Sequence, residues 1–175
     1  MHILAGEKKG TPLDVPKEGT RPTTNKIKKS LFDTIQHYVV DAKVLDLFAG
    51  SGSLGLEALS RGAAFATFIE KGVHASNCLK KNIDKLGYEE RSTLIQSSVE
   101  HALKKLESYD LIFMDPPYEM DVEAITTQLL SHLCPGGLLI VEQSKRAKFL
   151  TELPYTKKKE YGDTILYFFT HKLDY

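Results

Sequence analysis

Apolar residues change their period along this chain, and each change marks an element. From Lys43 onward, short apolar runs alternate with helical recurrences: residues 44–48 and then 54–60; residues 66–69 and then Val73, Cys78, Leu79, Ile83 and Leu86. Continuous runs of four or five read as buried strands, and recurrences at i, i+3 and i+4 read as amphipathic helices. Gly87 suits the stop of the second helix. Leu94 and Ile95 predict a weak third strand, residues 99–106 a helix, and residues 111–114 a fourth strand. Val122, Ile125, Leu129, Leu130 and Leu133 mark another helix, residues 135–137 a turn, and residues 138–141 a fifth strand. Residues 144–153 are expected to be helical. Residues 155–161 and 164–170, joined through Gly162 and Asp163, predict an antiparallel hairpin closing the sheet.

Upstream, residues 2–5 and 11–15 flank Gly6, Glu7, Lys8, Lys9 and Gly10, which predicts a small hairpin with a basic tip. Thr23 or Thr24 is placed to cap a helix whose apolar positions are Ile27, Leu31, Phe32, Ile35 and Tyr38. Its other face is expected to carry Lys26, Lys28 and Lys29. Parallel neighbours need crossover helices, so the alternation implies an α/β fold with a doubly wound, mostly parallel, seven-stranded sheet and a C-terminal antiparallel hairpin. The expected division is a hairpin-plus-helix extension over residues 1–40 and the main domain over 41–175.

Composition narrows the class. At 175 residues there is room for one well-buried domain, and 42% hydrophobic with 26% charged residues is the balance of a soluble globular protein. No apolar stretch approaches the length of a membrane span, and nothing at the N-terminus resembles a signal peptide. Cys78, Cys134 and the six histidines lack metal-ligand spacing. The expectation is a reduced, cytoplasmic, metal-free monomer. The formal charge is zero, but residues 1–40 carry seven Lys or Arg against four acids, and the remaining 135 residues carry a matching negative surplus. A positive end on a mildly acidic body fits a phosphate-facing edge, although an ordinary solvated segment would look the same.

Two clusters carry chemistry. The first predicted strand runs into Asp46, Leu47, Phe48, Ala49, Gly50, Ser51, Gly52, Ser53, Leu54 and Gly55, which holds a G-x-G-x-x-G at Gly50, Gly52 and Gly55. Alone that fingerprint is weak. Here it follows a strand, precedes a helix and has Glu70, with Lys71, at the tip of the second strand, where a ribose hydroxyl acceptor belongs. A dinucleotide would bring a pyrophosphate against Asp46, an unfavourable pairing. S-adenosylmethionine carries a sulfonium and an ammonium, so the same carboxylate attracts it. Separately, Asp46 as a turn cap and Glu70 as an exposed strand end are equally good readings; their conjunction at this spacing favours the methyl donor.

The second cluster, Asp115, Pro116, Pro117 and Tyr118, stands where the fourth strand ends, the location of chemistry in open α/β sheets. A carboxylate and a proline carbonyl can accept the two N–H bonds of a planar amino group while the ring stacks on its face. That arrangement suits methyl transfer to a nucleobase nitrogen. The bland alternative has the prolines only breaking the strand and Tyr118 packing on a helix.

With these residues placed, the chain resembles the class I methyltransferases and, more narrowly, the RsmD family of bacterial 16S ribosomal RNA guanine-N2 methyltransferases. The resemblance rests on residues 2–6, Lys9 and Gly10, Arg21 to Thr24, Leu31 and Phe32, residues 44–61 and Asp115 to Tyr118. It implies a methyltransferase domain over 41–175 and methylation of one guanine exocyclic amine in 16S rRNA within the small ribosomal subunit. Asp115, Pro116, Pro117 and Tyr118 would be catalytic. Asp46, Phe48, Ala49, Gly50, Ser51, Gly52, Ser53, Glu70 and Lys71 would hold the cofactor. Many relatives place an acid after the third strand to contact adenine. This chain has Ser97, Ser98 and Val99, leaving the adenine to Ser98, Val99 and backbone groups.

RNA contacts would fall on Lys8, Lys9, Arg21, Thr23, Thr24, Lys26, Lys28 and Lys29. Lysine stands at Lys9 and at Lys28 or Lys29 where arginine is common in the family, which keeps the charge and loses the bidentate fork. Lys157, Lys158 and Lys159 read instead as protection for an exposed edge strand. Rival readings are a DNA adenine or cytosine methyltransferase, which usually needs an added recognition domain that has no room here, or another RNA amino-methyltransferase; a protein glutamine methyltransferase, whose motif usually has Asn in place of Asp115; an NAD-dependent oxidoreductase, which leaves Asp115 to Tyr118 unexplained; and a non-catalytic RNA-binding domain.

Overall fold

The computed structural model describes residues 1–17, 23–148 and 150–171. Among these, the chain forms α1 (Asn25–Ile35), β1 (Lys43–Leu47), α2 (Ser53–Ser60), β2 (Phe65–Glu70), α3 (Val73–Leu86), β3 (Ser92–Gln96), the short α4 (Val99–Ala102), β4 (Tyr109–Met114), α5 (Val122–Leu130), β5 (Leu133–Ser144), β6 (Lys157–Tyr161) and β7 (Thr164–Thr170). The strands make one sheet in the order β3-β2-β1-β4-β5-β7-β6. β1 to β5 pair in parallel, while β7 lies antiparallel between β5 and β6. The expected seven-stranded, doubly wound architecture is therefore present. Strand order reverses between β1 and β4, so a crevice opens beyond their carboxyl ends, where sheets of this type bind ligands.

The central strands are buried on both faces, and this is why they read as unbroken apolar runs. Val44, Phe68, Leu111 and Ile140 pack on one side with Leu31 and Phe32 of α1, Leu56 of α2 and Leu79 of α3. Leu45, Ile69, Ile112 and Val141 pack on the other with Val99 of α4 and Ile125 of α5. Each such side chain contributes about 1.5–3 kcal/mol when fully buried. Ile3 and Leu13 belong to the first of these clusters, so the N-terminal segment shares the core of the sheet. It is held as a hairpin by the single bridge His2–Pro12 and by Ile3 N–H donating to the Thr11 carbonyl at 3.0 Å. Thr24 caps α1, its hydroxyl accepting from Ile27 N–H at 3.3 Å. β6 is an edge strand with Lys157 and Lys158 exposed, whereas Lys159 is half-buried and donates to Thr34 Oγ1 at 2.6 Å.

The helix expected over residues 99–106 is α-helical only from Val99 to Ala102 and continues as a 3-10 turn from Leu103 to Lys105, and three further elements differ from expectation. Residues 144–153 form no helix among the described residues. β5 runs on to Ser144 because β7 pairs with it up to Thr164, and side chains take the backbone groups a helix would need. Ser144 Oγ accepts from Arg146 N–H at 3.1 Å, and the Gln143 side-chain carbonyl accepts from Thr151 N–H at 3.1 Å. The helix expected to reach Leu133 stops at Leu130, with Leu133 already in β5. Residues 135–137 lie within that strand, where the register with β4 shifts between Tyr109 and Leu111. No helix among the described residues is long and apolar enough to cross a membrane.

Candidate active site

β1 ends in a left-handed turn. Phe48 has φ +56°, an uncommon state for a residue with a side chain, and Gly50 (φ +56°) and Gly52 (φ +79°) follow. At Gly52 the positive φ favours glycine, and an added Cβ would also stand 2.1 Å from Leu79 Cδ1, so that side chain would have to shift. Gly55 has an ordinary helical φ, but a Cβ there would meet the Phe68 ring at 2.4 Å, so α2 can press onto β2 only with glycine at this position.

Two carboxylates pin this loop. Asp46 Oδ2 accepts from Gly55 N–H at 3.0 Å, and Glu70 accepts from Gly50 N–H at 2.9 Å and from Gly72 N–H at 2.8 Å. From α3, Asn82 donates to the Ser51 carbonyl at 2.9 Å and to the Asp14 carbonyl at 2.9 Å. Ser98 caps α4, accepting from His101 N–H at 3.3 Å, with Val99 buried behind it. Lys71 is exposed beside Glu70.

The loop and the second cluster share one cleft of about 60 Å³, lined by Phe48, Ala49, Gly50, Ser51 and Ser53, by Asp46 and Asp115, and by Met1, Val15 and Thr23 of the N-terminal segment. The register explains the meeting: Leu47 lies opposite Met114, so Asp115 emerges beside Phe48. Pro116 is buried, whereas Pro117 is exposed and Tyr118 is 50% exposed. Electrostatically the cleft is short of positive charge. Burial, opposed by the Gly55 hydrogen bond and reinforced by Glu70, pushes the Asp46 carboxyl up to about 8. Burial also raises Asp115 well above the usual carboxylate range, with the charges of Glu142 and Asp46 adding to it. A cationic ligand relieves all of these strains together. S-adenosylmethionine, with its sulfonium and ammonium, fits this donor set, and a pyrophosphate does not.

The basic residues of the N-terminal segment separate into two kinds. Lys9 and Lys26 are exposed, Lys29 is exposed and paired with Asp33 at 2.7 Å, and Lys8 reaches over the Tyr88 ring. Lys28, expected on the solvent face, is fully buried. Its Nζ donates to the His2 carbonyl at 2.8 Å and to Ser53 Oγ at 3.0 Å, and lies 3.2 Å from Glu57 Oε2. Glu57, also fully buried, accepts from Leu4 N–H at 2.9 Å, Ala5 N–H at 3.0 Å and Arg61 Nε at 2.8 Å. Lys28 therefore ties the hairpin to the start of α2 and has no surface to offer RNA. Burial lowers its pKa, with the Glu57 charge opposing. Thr23 is likewise buried and donates to Glu142 Oε2 at 2.7 Å, so its hydroxyl is committed inward. Arg21 lies outside the described residues.

Sequence reasoning missed Met1, Val15, Asn82, Glu57 and Glu142. Only Glu142 carried a signal, as the first charged residue after the fifth apolar run. No group of three or more His, Cys, Asp or Glu among the described residues could hold a metal ion.

Fold and cleft together define a class I, S-adenosylmethionine-dependent methyltransferase. Comparison with known proteins narrows the class. The chain belongs to the RsmD family, whose model, described as conserved hypothetical protein 95, matches residues 1–170. It is 37% identical over 172 residues to the ribosomal RNA small subunit methyltransferase D of Haemophilus influenzae, covering 91% of this chain and 87% of that protein. It is 35% identical over 175 residues to the putative rRNA methyltransferase YlbH of Bacillus subtilis, covering 94% and 95%. The solved structure of the putative methyltransferase yhhF from Escherichia coli superposes with a TM-score of 0.85 at 31% identity over 97% of each chain.

Proposed function

We propose that this protein transfers a methyl group from S-adenosylmethionine to the exocyclic N2 of one guanine in 16S rRNA of the small ribosomal subunit. One observation carries the reading: the cleft at the glycine loop runs without interruption to Asp115. A methyl on sulfur and an amine held at Asp115 would face each other across it. The relatives named as small-subunit rRNA methyltransferases supply the substrate class. A ribosomal substrate in turn implies a cytoplasmic setting.

Guanine N2 is a poor nucleophile because its lone pair is delocalised into the ring. The Asp115 carboxylate and the Pro116 carbonyl accept its two N–H bonds, which favours a pyramidal nitrogen with its lone pair aimed into the cleft. Pro117 restricts Pro116 to an extended conformation and so fixes that carbonyl's direction. Tyr118 stacks on the extruded base, a contact worth about 1–3 kcal/mol. S-adenosylmethionine supplies the electrophilic methyl, and the S–C bond pair returns to sulfur as the N–C bond forms. The N–H proton that N2 then sheds goes to Asp115, whose raised pKa makes it a better acceptor than an exposed carboxylate. Asp46 and Glu70 would hold the donor's cationic end and ribose, and Ser98 and Val99 would border its adenine. Most of the acceleration comes from in-line positioning and from charge neutralised in a site of low polarity.

RNA lies along the exposed basic surface of residues 1–40, with Lys8, Lys9, Lys26 and Lys29 facing phosphates. Incubating the protein with labelled methyl donor and small subunits lacking the modification tests the reading. Digestion should yield labelled N2-methylguanosine from a single position; label on adenine, or none, rejects it.

A further inference from the structure

Asp115 and the Pro116 carbonyl grip only an exocyclic amine, and adenine and cytosine carry one too. Choosing guanine needs a second group that reads the ring. The adjacent strand supplies it. β4 and β5 run in parallel with Met114 opposite Val141, so Asp115, just past β4, falls beside Glu142, still within β5, and the two side chains belong to the same face. Glu142 is half-buried, and its Oε2 accepts from Thr23 Oγ1 at 2.7 Å. Thr23 is itself a wall of the cleft that Asp115 lines. The hydroxyl thereby fixes one carboxylate oxygen behind a wall of the cleft.

A second acid here is electrostatically costly to Asp115, since the Glu142 charge adds to the rise of its carboxyl. Devices that oppose stability cluster where a function needs them.

Resting on the function proposed above, we infer that Glu142 is a specificity-determining residue that accepts the ring N1–H of the guanine whose amine Asp115 holds. Guanine N1 carries a hydrogen, whereas adenine N1 and cytosine N3 present a lone pair. A carboxylate attracts the first and repels the other two. Thr23 positions Glu142 for this contact, and a carboxylate has acceptor sites beyond the one that a single hydroxyl fills.

The test uses small-subunit RNA in which the mapped target guanine is replaced by 2-aminopurine, which keeps the 2-amino group but presents a bare N1. The wild-type protein should prefer guanine in kcat/KM by about tenfold or more, the discrimination expected of one well-placed polar contact. In Glu142→Gln, whose amide can donate to a bare N1, the ratio should fall to within about threefold of unity. Loss of stability or of cofactor affinity moves both substrates together and leaves the ratio alone, so a purely structural role predicts no change. Thr23→Val should lower the ratio in part, and it carries the same test if Glu142→Gln fails to fold. A guanine preference undiminished in the variant that folds overturns the inference. A wild-type protein that methylates no guanine N2 would instead overturn the reaction assignment, a separate and distinguishable failure.

Discussion

Asp46, which we propose holds the donor's cationic end, is costly to stability in the absence of that ligand. Its carboxyl sits near 3.8 when exposed and about 8 in the folded chain. Between those values the native state holds the extra proton, so this group makes the protein less stable as pH rises from about 4 to about 8. Asp46→Asn keeps an acceptor for Gly55 N–H and removes the titration. The variant should melt a few degrees, about 3–6 °C, above wild type at pH 8, with the gap narrowing toward pH 5. Its affinity for S-adenosylhomocysteine or the methyl donor should nonetheless fall about tenfold, the loss of one buried charge contact. Scanning calorimetry across pH and ligand titration measure both; a melting difference independent of pH would contradict the assignment. The left-handed Phe48 is a second strained residue of the same cleft, and such strain persists only where surrounding contacts impose it.

At the scale of elements, α1 divides its lysines by helical position. Positions 28, 31, 32 and 35 follow the i, i+3, i+4, i+7 stripe, so Lys28 occupies the apolar face with Leu31, Phe32 and Ile35. That placement was legible in the spacing, yet charge type alone argued for solvent. Removing Lys28 takes one of its two cationic partners from buried Glu57, leaving Arg61 and two backbone N–H groups, and empties a fully buried site, so Lys28→Ala should cost about 2–3 kcal/mol in urea unfolding. Lys26→Ala, on the exposed face, should change stability by less than about 0.5 kcal/mol. It should weaken RNA binding and reduce the salt slope of that binding by about one. The reverse pattern would put the RNA contact on the wrong lysine. The parallel strands were readable because burial on both faces leaves no polar alternation to confuse. Residues 144–153 misled because their composition permits a helix, while the outcome depends on β7 pairing and on the Gln143 and Ser144 side-chain bonds.

Across the whole molecule, the site is assembled where three strand ends and the N-terminal segment converge. Asp46, the glycines, Glu70 and Asp115 to Tyr118 stood out in the sequence because each cluster is local and bears its own chemical pattern. Met1, Val15, Asn82 and Glu142 did not, since only tertiary packing brings them to the cleft or its loop: Asn82 spans from α3 to Ser51 and Asp14, and Glu142 reaches Thr23 across 119 positions. The central claim is that Asp115 acts on the substrate amine while the glycine loop independently holds the methyl donor. Comparing wild type with Asp115→Ala in two assays, S-adenosylhomocysteine affinity by calorimetry and methyl transfer to unmodified small-subunit rRNA, tests it most directly. The account predicts affinity within about threefold of wild type and transfer reduced by about three orders of magnitude or more. Transfer at the wild-type rate in Asp115→Ala would contradict it.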